Sequence, residues 1–190
     1  MKAKSFVENG DNDDDLKWDF DESVGYTTID IDGFPYKVLS QNPKGIQHIV
    51  ANKLHKLRGV TNRIANNIDK RAKGPGIDIF KHIHKDKGKR SNFLLSEIKP
   101  STGFSGLNKP KDRILTNDVF VGPDENIRAQ WRDIFLTINP RTQNITPEEM
   151  ELLIHELAHT GANHVRWRPD DHNEDFTSFE KLLWSVLNDI

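Results

Sequence analysis

Apolar residues recur along the chain at a helical spacing in three places. From Ile46 to Ile68 they stand mostly three or four residues apart, which predicts a helix over Ile46–Ile68 with Gly59 as a candidate break. The same spacing predicts a second helix after residue 146 and a third near the end of the sequence. The apolar residues of the last helix are expected in the core: Phe176, Phe179, Leu182, Leu183, Val186 and Leu187.

Short runs of β-branched and aromatic residues predict a hairpin near residue 30. Tyr26–Ile31 fits one strand and Tyr36–Leu39 fits its partner. Asp32 and Gly33 between them are typical of a tight hairpin turn, although Pro35 leaves the turn type undefined.

Further strands are predicted in the middle of the chain. Two of them, Phe93–Ile98 and Ile114–Val121, are joined by the sequence STGFSGLNKPK, which we expect to be a flexible connection. The basic, glycine-punctuated stretch Lys70–Arg90 predicts mostly loop. Ile127–Phe135 fits either a short helix or a strand.

A strong helix start precedes the second apolar series. Thr146 occupies the N-cap position, Pro147 the first helical position and Glu149 the third, which is a capping box with the preferred proline. Gly161 supplies a stop signal. We therefore expect a helix from about Pro147 to Thr160.

This predicted helix contains the sequence HELAH, an instance of HExxH. His155 and His159 are four residues apart and so lie on one face, where both imidazoles can bind one ion. Glu156 follows the first histidine and is placed to act on water bound to that ion. The pattern predicts a catalytic zinc site with one Zn²⁺ per chain and Glu156 as general base.

A catalytic zinc site needs a third protein ligand, and the chain contains no cysteine. We expect His172, because it lies just before the last helix with Phe176 four residues on. His164 is the alternative, and an acidic ligand, Glu174 or Asp175, is the third choice.

Charge is unevenly distributed, although the formal net charge is only −2. Met1–Asp32 has 3 basic and 10 acidic residues, whereas Lys44–Arg113, the basic segment, has 17 basic and 5 acidic ones. Ile114–Ile190 is acidic again, with 6 basic and 14 acidic residues. The basic segment fits a surface that binds DNA phosphates, and equally a solvated face balanced by the protein's own acids.

Composition excludes several classes of protein. Hydrophobic residues make up 35% and charged residues 29%, which is polar for a globular protein but not disordered throughout. No apolar run is long enough to cross a membrane, and Met1–Asp21 has no signal-peptide core. We expect an intracellular protein, cytoplasmic or nuclear, with a disordered acidic tail over residues 1–25 and one domain over residues 26–190.

The C-terminal motifs resemble the WLM and SprT-like metalloprotease families, which include the DNA–protein-crosslink proteases. The resemblance rests on HELAH at His155–His159 and on the HxxxF segment from His172 to Phe176, and it extends loosely to the upstream LNKPKDRI. It covers about Thr146–Leu187. The twelve residues between His159 and His172 exceed the WLM spacing and are nearer the variable SprT spacing, which keeps His164 open as a ligand.

The resemblance implies a compact zincin-like α+β metalloprotease domain, with a small twisted sheet packed on the active-site helix. Ile114–Val121 is then the expected edge strand along the substrate cleft. The implied activity is zinc-dependent endopeptidase action on a protein or peptide substrate, including DNA-bound or DNA-crosslinked proteins. Two alternatives stay open: a metallopeptidase without DNA dependence, and a nucleic-acid-binding module whose metal is structural.

Overall fold

The computed structural model describes residues 25–73, 77, 93–100, 105–110, 132–162 and 174–189. Within them the fold is α+β, with three α-helices and a mixed five-stranded sheet. The elements in chain order are β1 (Tyr26–Ile31), β2 (Phe34–Leu39), α1 (Lys44–Asn67), a short 3₁₀ helix (Ile68–Lys70), β3 (Phe93–Glu97), β4 (Gly106–Pro110), β5 (Arg132–Leu136), α2 (Pro147–Ala162) and α3 (Glu174–Asn188).

The predicted hairpin is confirmed, and its turn type follows from two backbone angles. Asp32 has a φ of 53° and Gly33 a φ of 84°, the pair of left-handed conformations that a type I′ turn requires. The strands pair antiparallel from Tyr26 opposite Leu39 to Ile31 opposite Phe34. Pro35 is part of β2 and lies opposite Asp30, so it does not disturb the turn.

The sheet has the strand order β1-β2-β3-β5-β4. β3 lies at its centre and runs parallel to both β2 and β5, while β4 pairs antiparallel with β5. β3 matches the predicted strand Phe93–Ile98 to within one residue. The strand-or-helix question at Ile127–Phe135 resolves as a strand at Arg132–Leu136 for the part that the structure describes.

The expected flexible connection STGFSGLNKPK is wrong in part, because residues Gly106–Pro110 form β4. Its sequence, GLNKP, is poor in β-forming residues, and its Leu107 adds a buried apolar side chain. Pairing along β5 supplies the hydrogen bonds that fix it as a strand. β4 is the outermost strand on this side of the described sheet, whereas Ile114–Val121, the expected edge strand, lies outside the described residues.

The main core lies between the helices and one face of the sheet. Leu95, Ile134 and Leu136 point from that face into the same cluster as apolar residues of α1, α2 and α3. The opposite face carries a smaller cluster of Ile98, Leu107 and Phe135, against which Tyr26 packs. This two-layer arrangement follows from the alternation of side chains along each strand.

The helices differ from the predictions mainly at their ends. α1 continues through the exposed Gly59 without a break, since its apolar stripe packs on β2 and β3. α2 ends at Ala162, two residues beyond the expected end at Thr160. Lys70–Lys73 of the predicted loop contain the end of a 3₁₀ helix and a turn, while Ile77 is helical and buried. Among the described helices, none has the length and apolar character needed to traverse a bilayer.

Candidate metal centre

Hydrogen bonds of Thr146 and Glu149 hold the N-terminus of α2, the helix that carries HELAH. The capping box forms as the sequence predicts: the Glu149 amide donates to Thr146 Oγ1 at 3.1 Å, and the Thr146 amide donates to Glu149 Oε1 at 2.9 Å. The second oxygen of Glu149 accepts from the fully buried Lys53 ammonium at 2.8 Å and from the Asn139 amide at 2.7 Å. One carboxylate therefore joins the start of α2 to the middle of α1.

The motif itself lies in a part of α2 that is buried all round. Every residue from Leu152 to Thr160 is buried, including the polar His155, Glu156 and His159. β4 and β5 pack against α2 on one side and α3 packs on another. A helix enclosed in this way holds its side chains in defined positions. The apolar spacing in the sequence predicts burial of one face of α2, whereas the structure buries this part of the helix on every side.

The two histidines come together as their spacing predicts. Their ring centroids are 5.1 Å apart, and the ring planes are nearly perpendicular at 81°. Phe176 of α3 contacts both rings, with centroid distances of 4.8 Å to His155 and 4.7 Å to His159. Phe176 was expected in the core and as support for His172, so its contact with His155 and His159 is a feature that sequence reasoning missed.

A carboxylate of α3 approaches the first histidine. Glu180 Oε2 lies 3.5 Å from His155 Nδ1, at the outer limit of hydrogen-bond distance. Glu180 is one helical turn beyond Phe176, so both side chains reach α2 from one face of α3. The sequence pattern contains this i, i+4 pair, but nothing in it indicated that this face meets His155.

Glu156 is directed toward the edge of the sheet. A Cβ placed on Gly106 at the start of β4 would lie 2.7 Å from Glu156 Oε2 and 3.0 Å from Leu152 Cδ1. Only glycine allows the β4 backbone to approach the carboxylate this closely. Gly106 is thus a second residue of the site that sequence reasoning missed, because an isolated glycine in a polar stretch indicates only flexibility.

The predicted third ligands are only partly visible. His172, the expected ligand, and His164, its alternative, both lie outside the described residues. Glu174 and Asp175 are exposed in the first turn of α3. Within the described part of the chain, no group of three or more His, Asp or Glu side chains is assembled for a metal ion. The structure therefore brings together two of the three predicted donors and leaves the acidic alternatives apart from them.

The donors that are present fit zinc. His155 and His159 are over nine-tenths buried and present two imidazoles, the nitrogen ligands that zinc favours, on adjacent turns. Glu156 is 1% exposed, so its carboxylate is held in a largely dry environment beside them. Two nitrogen ligands with a neighbouring carboxylate suit zinc, whereas an oxygen cage for calcium or magnesium is not formed by these residues.

A cleft of about 510 Å³ adjoins the site at the N-terminal half of α2. Leu152 lines this cleft and also packs beside Gly106 and Glu156. The remaining lining residues come from the start of β4, the segment after β5 and the first turns of α2: Ser105, Thr137, Asn139, Thr146, Glu148, Glu149 and Glu151.

The basic segment is divided between the surface and the interior. Lys53 is bound to Glu149, and the buried Arg58 donates to the Phe93 carbonyl at 3.0 Å and stacks over the Phe34 ring at 4.0 Å. These two cations are therefore structural. The exposed cations of α1 lie along one stripe, the cationic stripe, whose helix contains no Asp or Glu: Lys44, Lys56 and Arg63.

A further histidine, His55, forms a separate set of contacts with Tyr36 and Asp32. Tyr36 Oη lies 2.6 Å from its Nδ1, and Asp32 Oδ2 lies 3.0 Å from its Nε2. Burial raises the pKa of Tyr36 to about 12, so the hydroxyl keeps its proton at neutral pH. These contacts connect the hairpin turn to α1, and none of them involves the HELAH motif.

Comparison of the chain with models of protein families, with curated proteins and with solved structures found no match.

Proposed function

We propose that the protein is a zinc-dependent endopeptidase with the zincin-like site that its C-terminal motifs suggest. The observation that carries the proposal is the arrangement on α2, where two buried imidazoles meet and Glu156 lies beside them at the sheet edge. His155 and His159 are the proposed ligands, with His172 as the third and His164 as its alternative. A structural zinc site has no use for a base next to its ligands, so the buried Glu156 favours catalysis.

A zinc ion in this site would lower the pKa of its bound water toward about 7 and polarise the scissile carbonyl. Glu156 accepts the proton of the attacking water and later delivers it to the leaving amine, acting as base and then as acid. The close β4 backbone at Gly106 limits the movement of its carboxylate, and the buried surroundings keep bulk water away. Each proton transfer then starts from a fixed oxygen.

The proposed substrate is an extended peptide lying along β4. β4 is the outermost strand beside α2 in the described sheet, and a peptide can pair with such an edge through main-chain hydrogen bonds. At Gly106 the same strand touches Glu156, so a peptide paired there passes the proposed base. The cleft at Leu152 is one helical turn away and can take a side chain of the substrate.

The test is Glu156→Gln, which keeps the size of the side chain but removes the base. We expect peptidase activity on an unfolded protein substrate to fall by at least about 100-fold, a typical value for loss of a general base. Zinc content should stay near one per chain. Wild-type activity should be lost with a chelator and return with added zinc. Full activity in Glu156→Gln would exclude the proposed role.

We also propose that the cationic stripe binds DNA and brings the peptidase to DNA-bound or DNA-crosslinked protein. The stripe spans about 28 Å of helix from Lys44 to Arg63 and has no carboxylate beside it on α1. The absence of acids from this helix supports binding of phosphates. The alternative is a solvated face balanced by the protein's acids elsewhere in the chain. The metallopeptidase without DNA dependence is the competing case.

Double-stranded DNA binding of the variant Lys56→Glu/Arg63→Glu tests this second proposal. We expect weaker binding than in wild type at about 50 mM salt, with a less steep dependence on salt concentration, because fewer counterions are released. Lys181→Glu, a single charge reversal on the exposed side of α3, is the control for each single reversal in the stripe, Lys56→Glu or Arg63→Glu. Equal weakening by the control and by the stripe variant would exclude a role for the stripe itself. If the wild-type protein binds no DNA, the metallopeptidase without DNA dependence is the proposal that remains.

A further inference from the structure

α3 brings a carboxylate to one of the two candidate ligands of α2. Glu180 Oε2 is 3.5 Å from His155 Nδ1, and the His155 side chain is only 10% exposed. The contact is long for a hydrogen bond but lies within the range of an ion pair or of a hydrogen bond that tightens when the site closes. Because His155 is buried, water screens this contact less than it screens an exposed ion pair.

We propose that Glu180 is a positioning residue, which holds the proton of His155 on Nδ1 and leaves Nε2 as the metal-binding nitrogen. An imidazole has two nitrogens, and the partner of one decides which of them carries the proton. A carboxylate accepts hydrogen bonds and cannot donate them when ionised, so it favours the tautomer with hydrogen on the nitrogen facing it. The inference rests on the proposed zinc peptidase, since it assigns a role toward the zinc ligand.

Phe176 orients the His155 ring that the Glu180 carboxylate contacts. It lies edge-on to His155, with an interplanar angle of 64°, and it also contacts His159. Phe176 fills the space beside both rings, and Glu180 fixes the edge of one of them. One face of α3, through two residues a turn apart, therefore supports both imidazoles of the proposed zinc site.

Glu180 is suited to this role because it lies at the rim of the site. Its side chain is 30% exposed, yet it reaches the buried histidine. Its removal should leave the folded protein intact, since it leaves no large cavity in the core.

The first measurement is the tautomer of His155 in the metal-free protein. Long-range ¹H–¹⁵N correlation spectra at about pH 8.5, assigned with the His155→Ala variant, should show wild-type His155 protonated at Nδ1. In Glu180→Ala the proton should move to Nε2, the usual site in a free imidazole. In Glu180→Gln the amide oxygen can still accept from Nδ1, so the wild-type tautomer should persist. Wild-type His155 protonated at Nε2 would overturn the inference.

The second measurement is zinc affinity by competition with a chromogenic chelator. Loss of an outer carboxylate partner of a histidine ligand typically weakens zinc binding about 10- to 100-fold, and we expect a loss of this size in Glu180→Ala. Glu180→Gln should lose less, and Asp30→Asn, which removes an exposed carboxylate from the distant β1, should lose less than about twofold.

The outcomes separate the two proposals. If His155→Ala abolishes zinc binding while Glu180→Ala binds as wild type does, the positioning role is wrong and the zinc site stands. If wild type and His155→Ala bind zinc equally, the proposed zinc peptidase fails, and the tautomer measurement still decides the contact between Glu180 and His155.

Discussion

At the scale of single residues, the site depends on a position that has no side chain. Gly106 lies so close to Glu156 that a Cβ would meet its carboxylate oxygen at 2.7 Å. Real side chains do not tolerate such a contact, so either the β4 backbone or Glu156 must move. Glu156 is the proposed base, and its displacement matters for activity more than for folding.

We therefore expect Gly106→Ala to lower kcat at least about tenfold and to destabilise the protein by about 1–3 kcal/mol, as overpacking does. Steady-state kinetics and urea unfolding measure the two effects. Gly45→Ala on α1, where an added Cβ has open space, is the control; it should leave kcat unchanged and should not destabilise the protein, since alanine favours a helix more than glycine does. Unchanged kinetics in Gly106→Ala would mean that this close approach does not constrain Glu156.

A second residue-scale prediction concerns Glu97 at the end of β3. Burial raises the pKa of this carboxyl, and the Leu39 amide, which donates to Glu97 Oε1 at 2.8 Å, offsets part of the rise. The folded state thus holds the proton more tightly than the unfolded state does. Stability contributed by Glu97 is therefore lost as pH rises from the unfolded pKa through the folded one.

Glu97→Gln removes this titration and keeps an oxygen that can accept from Leu39. The melting temperature of the variant relative to wild type should therefore increase between about pH 4 and pH 7. Thermal unfolding of both proteins across this range measures the difference. A difference that is constant with pH would show that Glu97 does not ionise with a raised pKa.

At the scale of elements, the start of α2 depends on α1 through one buried ion pair. Lys53 donates to Glu149 Oε2, the Asn139 carbonyl and Thr142 Oγ1 at 2.7–2.9 Å, so its ammonium is well satisfied. A buried pair of this kind is costly to break from one side, because the remaining charge is left without its counterion.

Lys53→Met alone should destabilise the protein by about 3–5 kcal/mol. Adding Glu149→Gln should recover part of the loss, since no uncompensated carboxylate then remains. Lys56→Met, an exposed position on α1, should stay within about 0.5 kcal/mol. Urea unfolding provides the values, and simple additivity of the two changes at Lys53 and Glu149 would contradict a direct coupling.

The same helix shows what local sequence can predict. Thr146, Pro147 and Glu149 define the start of α2 because a capping box is made of residues three apart. HELAH places its two candidate ligands together because i, i+4 spacing is a property of the helix alone. The contacts of Phe176 and Gly106 were not predictable. They depend on how α3 and β4 pack on α2, which no local pattern contains.

The strands illustrate the same limit. The hairpin was predictable, since Asp32-Gly33 is a local turn signal between two β-rich runs. β4 was not, because GLNKP has few β-forming residues and is a strand only by pairing with β5.

At the scale of the whole molecule, the described helices pack on one face of the sheet, and the candidate site lies where α2, α3 and β4 meet. The distribution of charge along the sequence did not predict which cations lie at the surface. Two cations of the basic segment, Lys53 and Arg58, proved to be buried structural groups, so its net charge overstates the cationic surface.

The central claim is that the HELAH helix holds one zinc ion, and zinc stoichiometry after dialysis tests it most directly. Wild type should retain about one zinc per chain, and His155→Ala, His159→Ala and His172→Ala should each retain little, while His164→Ala should bind as wild type does. If His172→Ala retains zinc and His164→Ala loses it, then His164 replaces His172 as the third ligand and the rest of the account stands. Full retention of zinc in both His155→Ala and His159→Ala, or no zinc in wild type, would contradict the account.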